Sequence, residues 1–295
     1  MQLLIIHGAV ELKKLPDPSY KISPGKQNPK RDTFLHTICM EKPKLTKHTQ
    51  RGRNWIILIQ VLFFLIVFPS NARTGSVIEV GKFSGVKELD GIPQGWEPLT
   101  FRKIKNHTRY TLVVDEGIRV VKAVSNSSSS GLIRKISIDP TEYPIITWQW
   151  KITKIFEKGD VTKKQGDDYP ARIYVTFTYD PAKLSFVEKT KYKAARLLYG
   201  EYPPQGAINY IWGSKAKEGT VVPNPYTERA MMIVVRSGDN MLNTWVREER
   251  NLYEDYKKAF GTEPPTISGV AIMTDTDNTL ESAVTFYGDI IFKKQ

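Results

Sequence analysis

Eight short runs in which side chains alternate between two faces, each bounded by turn residues, constrain this chain more than any other feature. They are Arg109–Val114, Arg119–Ala123, Ile145–Ile152, Arg172–Tyr179, Ala207–Trp212, Met231–Arg236, Ile267–Thr274 and Ser282–Phe292. A period of two is the signature of a strand with distinct faces. Parallel strands would need a crossover between them, usually a helix, and no regular helical pattern separates these runs. The expectation is therefore an all-β, antiparallel sandwich of eight to ten strands.

Two accessory helices are predicted, over Phe186–Tyr199 and Trp245–Phe260. In the second, Trp245, Leu252, Tyr256 and Phe260 fall on one apolar stripe, read as packing against the sandwich. Gly261 follows as the expected C-terminal stop, with Pro264 and Pro265 beyond. Ser125–Ser130 (SNSSSS) reads as a flexible tip.

The net charge of +12 is unevenly placed: residues 1–72 carry 11 Lys and Arg against 4 Asp and Glu. In the remainder the two signs are interspersed, so no phosphate-tracking stripe forms and nucleic acid is not an expected partner. Trp55–Phe68 (WIILIQVLFFLIVF) is an uncharged run of 14 residues behind a basic flank. It is short for a membrane span, which takes about 20 apolar residues, and suits the apolar core of a secretory signal. Ser70 and Ala72 supply the small residues before a cleavage point after Ala72. The expected organisation is a non-native or disordered leader over 1–39, a signal peptide over 40–72 beginning at Met40, and a single β-sandwich domain over 73–295. The expected location is periplasmic or secreted. The competing reading keeps Trp55–Phe68 as an uncleaved anchor, the one expected contact with a membrane.

Cys39 is the only cysteine and precedes Met40, and His107 is the only histidine after Ala72. Zinc sites built on His and Cys, Ser-His-Asp triads and Cys-His pairs thus lack their parts. No GxxxxGK[ST] or GxGxxG occurs, so no phosphate-cradling loop is signalled. Carboxylates remain: Asp167 and Asp168 before one strand, Asp275 and Asp277 at the end of another. Paired acids serve general acid and base chemistry, and glycosidases hold two of them about 5–10 Å apart. Oxygen-rich loops of this kind also suit calcium, although Asp275–Asn278 lacks the glycine and distal glutamate of an EF-hand loop; no other cofactor is expected. The plainer reading makes all four acids turn caps.

Alternation in Arg172–Tyr179 sets Arg172, Tyr174, Thr176 and Thr178 on one face and Ile173, Val175, Phe177 and Tyr179 on the other. The second face is expected in the core. The first, polar and aromatic, resembles the concave sheet of a sugar-binding sandwich. Rings for sugar faces and planar groups for hydroxyls would come from Tyr174, Tyr210, Trp212, Asn209, Arg172 and Arg236. Trp148 and Trp150 share a face with Ile146 and Ile152 and are expected in the core.

Several long segments carry a resemblance: GIPQGWEP (91–98), WQWK (148–151), GDDYPARIYVTF (166–177), NYIWG (209–213), VVPNPYTERAMMIVVRSG (221–238), the spaced motif over 245–256, and GVAIMTDTDNT (269–279). Together the chain resembles the bacterial domain-of-unknown-function family 3047 over nearly all of 79–293. The resemblance implies a bacterial exported protein of one domain. It implies no reaction, ligand or catalytic residue. The closing segment 283–292 looks like the last strand of galactose-binding-like jelly rolls, which refines the expected fold to a jelly-roll β-sandwich with two accessory helices. Fold does not fix function.

The leading functional expectation is binding of a glycan or other polyhydroxylated envelope ligand. Its site would comprise Asp167, Asp168, Arg172, Tyr174, Asn209, Tyr210, Trp212, Arg236, Asp275 and Asp277. The alternatives are a carboxylate-dependent glycoside hydrolase or lyase, and a structural envelope interaction protein.

Overall fold

The computed structural model describes residues 77–295 apart from 88, 90, 184, 187, 188, 191, 194, 195 and 197–203. The leader, signal and cleavage expectations over 1–72 lie outside the described residues.

Among the described residues, fourteen strands form two seven-stranded sheets. The first holds β1 (Val77–Gly81), β3 (Arg109–Asp115), β4 (Ile118–Asn126), β6 (Ile145–Ile152), β11 (Val246–Asn251), β13 (Ser282–Tyr287) and β14 (Ile290–Lys293). The second holds β2 (Glu97–Leu99), β5 (Ser129–Ile138), β7 (Arg172–Phe177), β8 (Gly206–Gly213), β9 (Val221–Asn224), β10 (Thr227–Ser237) and β12 (Ile267–Asp275). Two four-strand orders run side by side inside these sheets: β4-β13-β6-β11 in one and β5-β12-β7-β8 in the other. The chain passes between them in the sequence of a jelly roll. The added β10 pairs with β8 in parallel, a departure from the all-antiparallel expectation. Its return path is supplied by the β9–β10 hairpin rather than by a helix.

The core between the sheets is set by the alternation. Ile146, Trp148, Trp150 and Ile152 of β6 meet Ile173, Val175 and Phe177 of β7 and Ile208, Tyr210 and Trp212 of β8 in one buried cluster. Trp148 stacks on Tyr210 at 5.0 Å between centroids, and Trp150 lies 5.8 Å from Trp212. Both β6 tryptophans are core residues, as the sequence implies.

Two elements differ from expectation. Trp245–Phe260 is not one helix: Val246–Asn251 is β11, pairing with β6, and only Leu252–Phe260 is helical (α1). The V-R-E-E-R-N stretch places Val246 and Glu248 inward with period two, and its ladder to β6 satisfies more backbone than a free helical turn would. The Asn251 side chain accepts from Glu254 N and caps α1, which ends at Gly261 with φ 70°. In the other predicted helix, residues 186, 189, 190, 192, 193 and 196 are helical, and the rest of that segment lies outside the described residues. Ser282–Phe292 is two strands, broken at Gly288, whose N–H donates to Gln149 O at 2.8 Å.

The serine tip is not free. Ser125, Ser128, Ser129 and Ser130 are all buried. Ser125 Oγ lies 2.8 Å from Thr276 Oγ1, and Ser128 O accepts from Thr276 N at 2.9 Å. The β4–β5 turn is thereby tied to the loop that carries the second pair of acids.

Candidate functional site: a buried acid–arginine network beside an open groove

The stretch Asp167–Pro170 leads into β7, and its path is fixed one residue earlier. A Cβ on Gly166 would stand 2.6 Å from Asp160 N, so no other residue fits where the 158–166 loop closes on itself. Asp160 N donates to Gly166 O at 2.9 Å. From here Asp167, Asp168 and Tyr169 are aimed at the end of β12, where Asp275 is the last strand residue.

Arg172 organises the cluster. Its side chain is wholly buried. Its Nε donates to Asp275 Oδ1 at 2.8 Å and its Nη2 to Asp275 Oδ2, a two-pronged pairing. Nη2 also donates to Asp167 O at 2.5 Å, and Nη1 to the Tyr174 hydroxyl at 3.2 Å. The guanidinium carbon lies 4.3 Å from the centre of the Tyr169 ring.

Each acid has its own holders. Asp168 accepts from Asn278 Nδ2 at 3.0 Å through one oxygen, and from Thr279 N and Oγ1 at 2.6 and 2.7 Å through the other. Asp275 Oδ1 additionally accepts from Tyr169 N at 3.2 Å. Asp167 Oδ2 accepts from Asn224 Nδ2 at 2.9 Å, while its Oδ1 stands 3.7 Å from Arg172 Nη1.

Burial drives the electrostatics. It pushes the Asp167 carboxyl up to about 6, against the pull of the Arg172 guanidinium. Burial likewise raises Asp168, Asp275 and Asp277, with neighbouring acids adding to the rise at all but Asp277. Burial alone would lower Arg172, but Asp275 first, with Tyr174 and Asp167 behind it, holds the guanidinium well above its ordinary value.

Asp168, Asp275 and Asp277 each bring one carboxylate oxygen within 4.8 Å of the others. Calcium accepts such oxygen ligands. Both oxygens of Asp168 and of Asp275 are also hydrogen-bonded within the protein.

A scan against family models matches the description "Protein of unknown function (DUF3047)" over residues 94–291, which takes in β7, β12 and every acid of this network. The chain belongs to the DUF3047 family. No curated protein matches. Two solved structures are distantly similar. The carbohydrate recognition domain of Emp47p shows 10% identity with a TM-score of 0.37, covering 74% of this chain and 95% of that one. The family 30 carbohydrate-binding module of a cellulosomal cellulase of Clostridium thermocellum shows 10% identity with a TM-score of 0.33, covering 74% and 98%. Likeness at that distance does not bear on a ligand.

The ten candidate residues of this DUF3047 protein fall into three places. Asp167, Asp168, Arg172, Asp275 and Asp277 come together as described. Tyr174 and Asn209 lie beside them on the outer face of the second sheet, paired across β7 and β8. Tyr210 and Trp212 do not join them: they face the opposite way, into the inter-sheet core. The Tyr210 hydroxyl donates to Asp255 and Trp212 Nε1 to Gly238 O. Odd and even positions of a strand point to opposite sides, so Trp212 cannot share a platform with Asn209. Arg236 pairs with Glu248 across to β11 at 2.7 Å instead.

The expected open polar face is also corrected. Arg172 and Tyr174 are buried, because Leu99, Phe101 and Ile104 pack over Tyr174, Ala207, Ala230, Ala271 and Met273, and Val161 and Tyr169 pack over Ile211, Met232 and Val234. The end of β2 and the loops at 101–104 and 161–169 together cover this face of the sheet.

Among the described residues, a groove of about 530 Å³ opens at the β9–β10 hairpin. It is lined by Val161, Thr162 and the run Val222–Glu228. Asn224 lines it and holds Asp167 on its inner side. Tyr226 lines it and its hydroxyl donates to Asn278 Oδ1 at 2.9 Å. Sequence reasoning passed over Tyr169, Asn224, Tyr226 and Asn278. All four lie inside the family segments given above; Tyr169 and Asn278 adjoin Asp168 and Asp277, so adjacency could have found them, whereas Asn224 and Tyr226 have no candidate residue beside them.

Proposed function

We propose that this DUF3047 protein is an exported, non-catalytic binding protein that holds a glycan or another polyhydroxylated ligand in the groove at the β9–β10 hairpin. The observation that supports it is the continuity of the groove wall with the buried network: Asn224 and Tyr226 line the groove and are hydrogen-bonded to Asp167 and Asn278 behind it. The lining mixes an aromatic ring and two prolines, Pro223 and Pro225, with the hydroxyl, amide and carboxylate groups of Thr162, Asn224, Thr227 and Glu228. Sugars call for that mixture, with flat apolar surface for ring faces and fixed polar groups for hydroxyls. Export rests on the basic flank, apolar run and small-residue cleavage point at 40–72.

The hydrolase and lyase readings need two carboxyls facing an open cleft. Asp168 and Asp275 are buried and occupied by their donors, which favours binding over catalysis.

The test is a glycan array followed by calorimetry on the exported protein. Tyr226→Ala and Glu228→Gln are each expected to weaken the array-positive glycan at least tenfold with the fold intact. A glycan bound equally well by both variants would place its site elsewhere, and an array without a binder would remove the reading.

A further inference from the structure

The groove at the β9–β10 hairpin has a sign. No Lys, Arg or His lines it, and its one carboxylate is Glu228. The other polar side chains of the lining are engaged within the protein. Thr162 Oγ1 donates to Asp160 Oδ1 at 2.7 Å. Asn224 Nδ2 donates to Asp167, and Asn224 Oδ1 accepts from Tyr226 N at 2.9 Å. Thr227 Oγ1 accepts from Arg229 N at 3.2 Å, and the Tyr226 hydroxyl donates to Asn278. Glu228 differs: it is exposed, and it has neither a hydrogen bond nor an ion pair with any described residue.

The wall behind the groove has the same sign. Burial first, and then Asp167, Asp277 and Asp168, raise the Tyr226 hydroxyl above its ordinary value, with Arg172 pulling the other way. The acids of the network are thus felt at the groove surface.

The chain itself shows what such a surface attracts. Lys164 Nζ stands 5.3 Å from the centre of the Tyr226 ring, within reach of cation–π attraction. Lys164 is exposed and forms no ion pair with a described residue. Attraction of this kind is weak at an exposed site, so a second ammonium can take its place.

An anionic ligand would meet Glu228 and the acids behind the wall. A neutral ligand would leave the Glu228 charge unused. A polyhydroxylated ammonium uses the whole lining: its charge faces Glu228, its cation sits on the Tyr226 ring, and its apolar flank lies along Pro223 and Pro225.

We propose that the groove selects a glycan with free amino groups, built of hexosamine units whose amines are not acetylated, with one ammonium replacing Lys164 on Tyr226 and pairing with Glu228. This rests on the groove reading and names the ligand class within it.

The experiment is calorimetry on the exported protein with three oligosaccharides of equal length: glucosamine, N-acetylglucosamine and galacturonic acid, in acidic buffer that keeps the amine protonated. The parent should bind the glucosamine oligomer at least tenfold more tightly than the other two, and added salt should narrow the gap. Glu228→Gln should erase the preference. Lys164→Gln removes a competing cation and should tighten the glucosamine oligomer two- to fivefold. All these side chains are exposed or half-exposed, so the variants should melt with the parent. A parent that binds the neutral or the acidic oligomer as tightly overturns the inference; if Tyr226→Ala still weakens that oligomer tenfold, the groove reading stands. Weaker glucosamine binding in Lys164→Gln would make that lysine a ligand contact and overturn the inference too. A preference for glucosamine that neither Glu228→Gln nor Tyr226→Ala alters would place the site elsewhere and remove both readings. A parent that binds none of the three overturns the inference and leaves the groove reading to the array.

Discussion

Asp167 illustrates how burial turns a side chain into a pH-sensitive one. In the unfolded chain its carboxyl titrates near 4, and in the folded protein near 6. An acid raised by folding binds its proton more tightly in the native state. The stability it lends is fully present below pH 4 and is lost as pH rises through 6. The charged groups facing it are Arg172, which opposes the shift, and Asp168, which adds to it. Asp167→Asn is expected to flatten the fall in stability between pH 4 and pH 6, and to raise stability at pH 7 by about 3 kcal/mol, the free-energy equivalent of the shift. Urea unfolding at several pH values reads this directly. An unchanged profile would mean that another acid sets it. Little of this was legible beforehand. The pairing of acids with a strand-entry arginine was visible in GDDYPAR, but which acid Arg172 grips depends on β12 lying antiparallel to β7, a contact made about a hundred residues away in sequence.

At the scale of elements, period two located most of the strands well, because the side chains of β6, β7, β8 and β12 that face the core are the apolar ones at alternate positions. Where two periods meet, the reading failed. In Trp245–Phe260 the apolar residues fit a helical stripe, yet Val246 and Glu248 obey the strand period. Asn251 marks the change, as a strand end and a helix cap at once. Gly261 was placed correctly since a left-handed residue that ends a helix has a distinctive chemistry. With φ at 70° and its N–H donating to Lys257 O at 2.8 Å, Gly261→Ala is expected to cost about 1 kcal/mol. Thermal unfolding would register that as a fall of several degrees at most, with the sheet signal intact. A neutral result would mean the turn relaxes.

For the whole molecule, the class of fold was legible and the layering was not. Alternation identifies the two faces of a sheet, but it is silent on whether loops fold over one of them. Here the segments at 99–104 and 161–169 close over the outer face, converting an expected open platform into an interior. The covering residues are an irregular Leu99, Phe101, Ile104, Val161 and Tyr169, with no period to announce them. That layer moves the exposed chemistry to the hairpin rim.

The seven-stranded sheet that carries the network ends in β2 on one side and β9 on the other. Both are short, and each contains a proline, Pro98 and Pro223. A proline offers no N–H to an incoming strand, and short edges give it little to grip. Two sheets of this size invite stacking between molecules, and these edges refuse it. Replacing both with strand formers, as Pro98→Thr with Pro223→Val, is expected to leave the monomer folded but to make it self-associate as concentration rises. Light scattering across a dilution series would show this, and a double variant as monodisperse as the parent would assign the two prolines to local turn geometry alone.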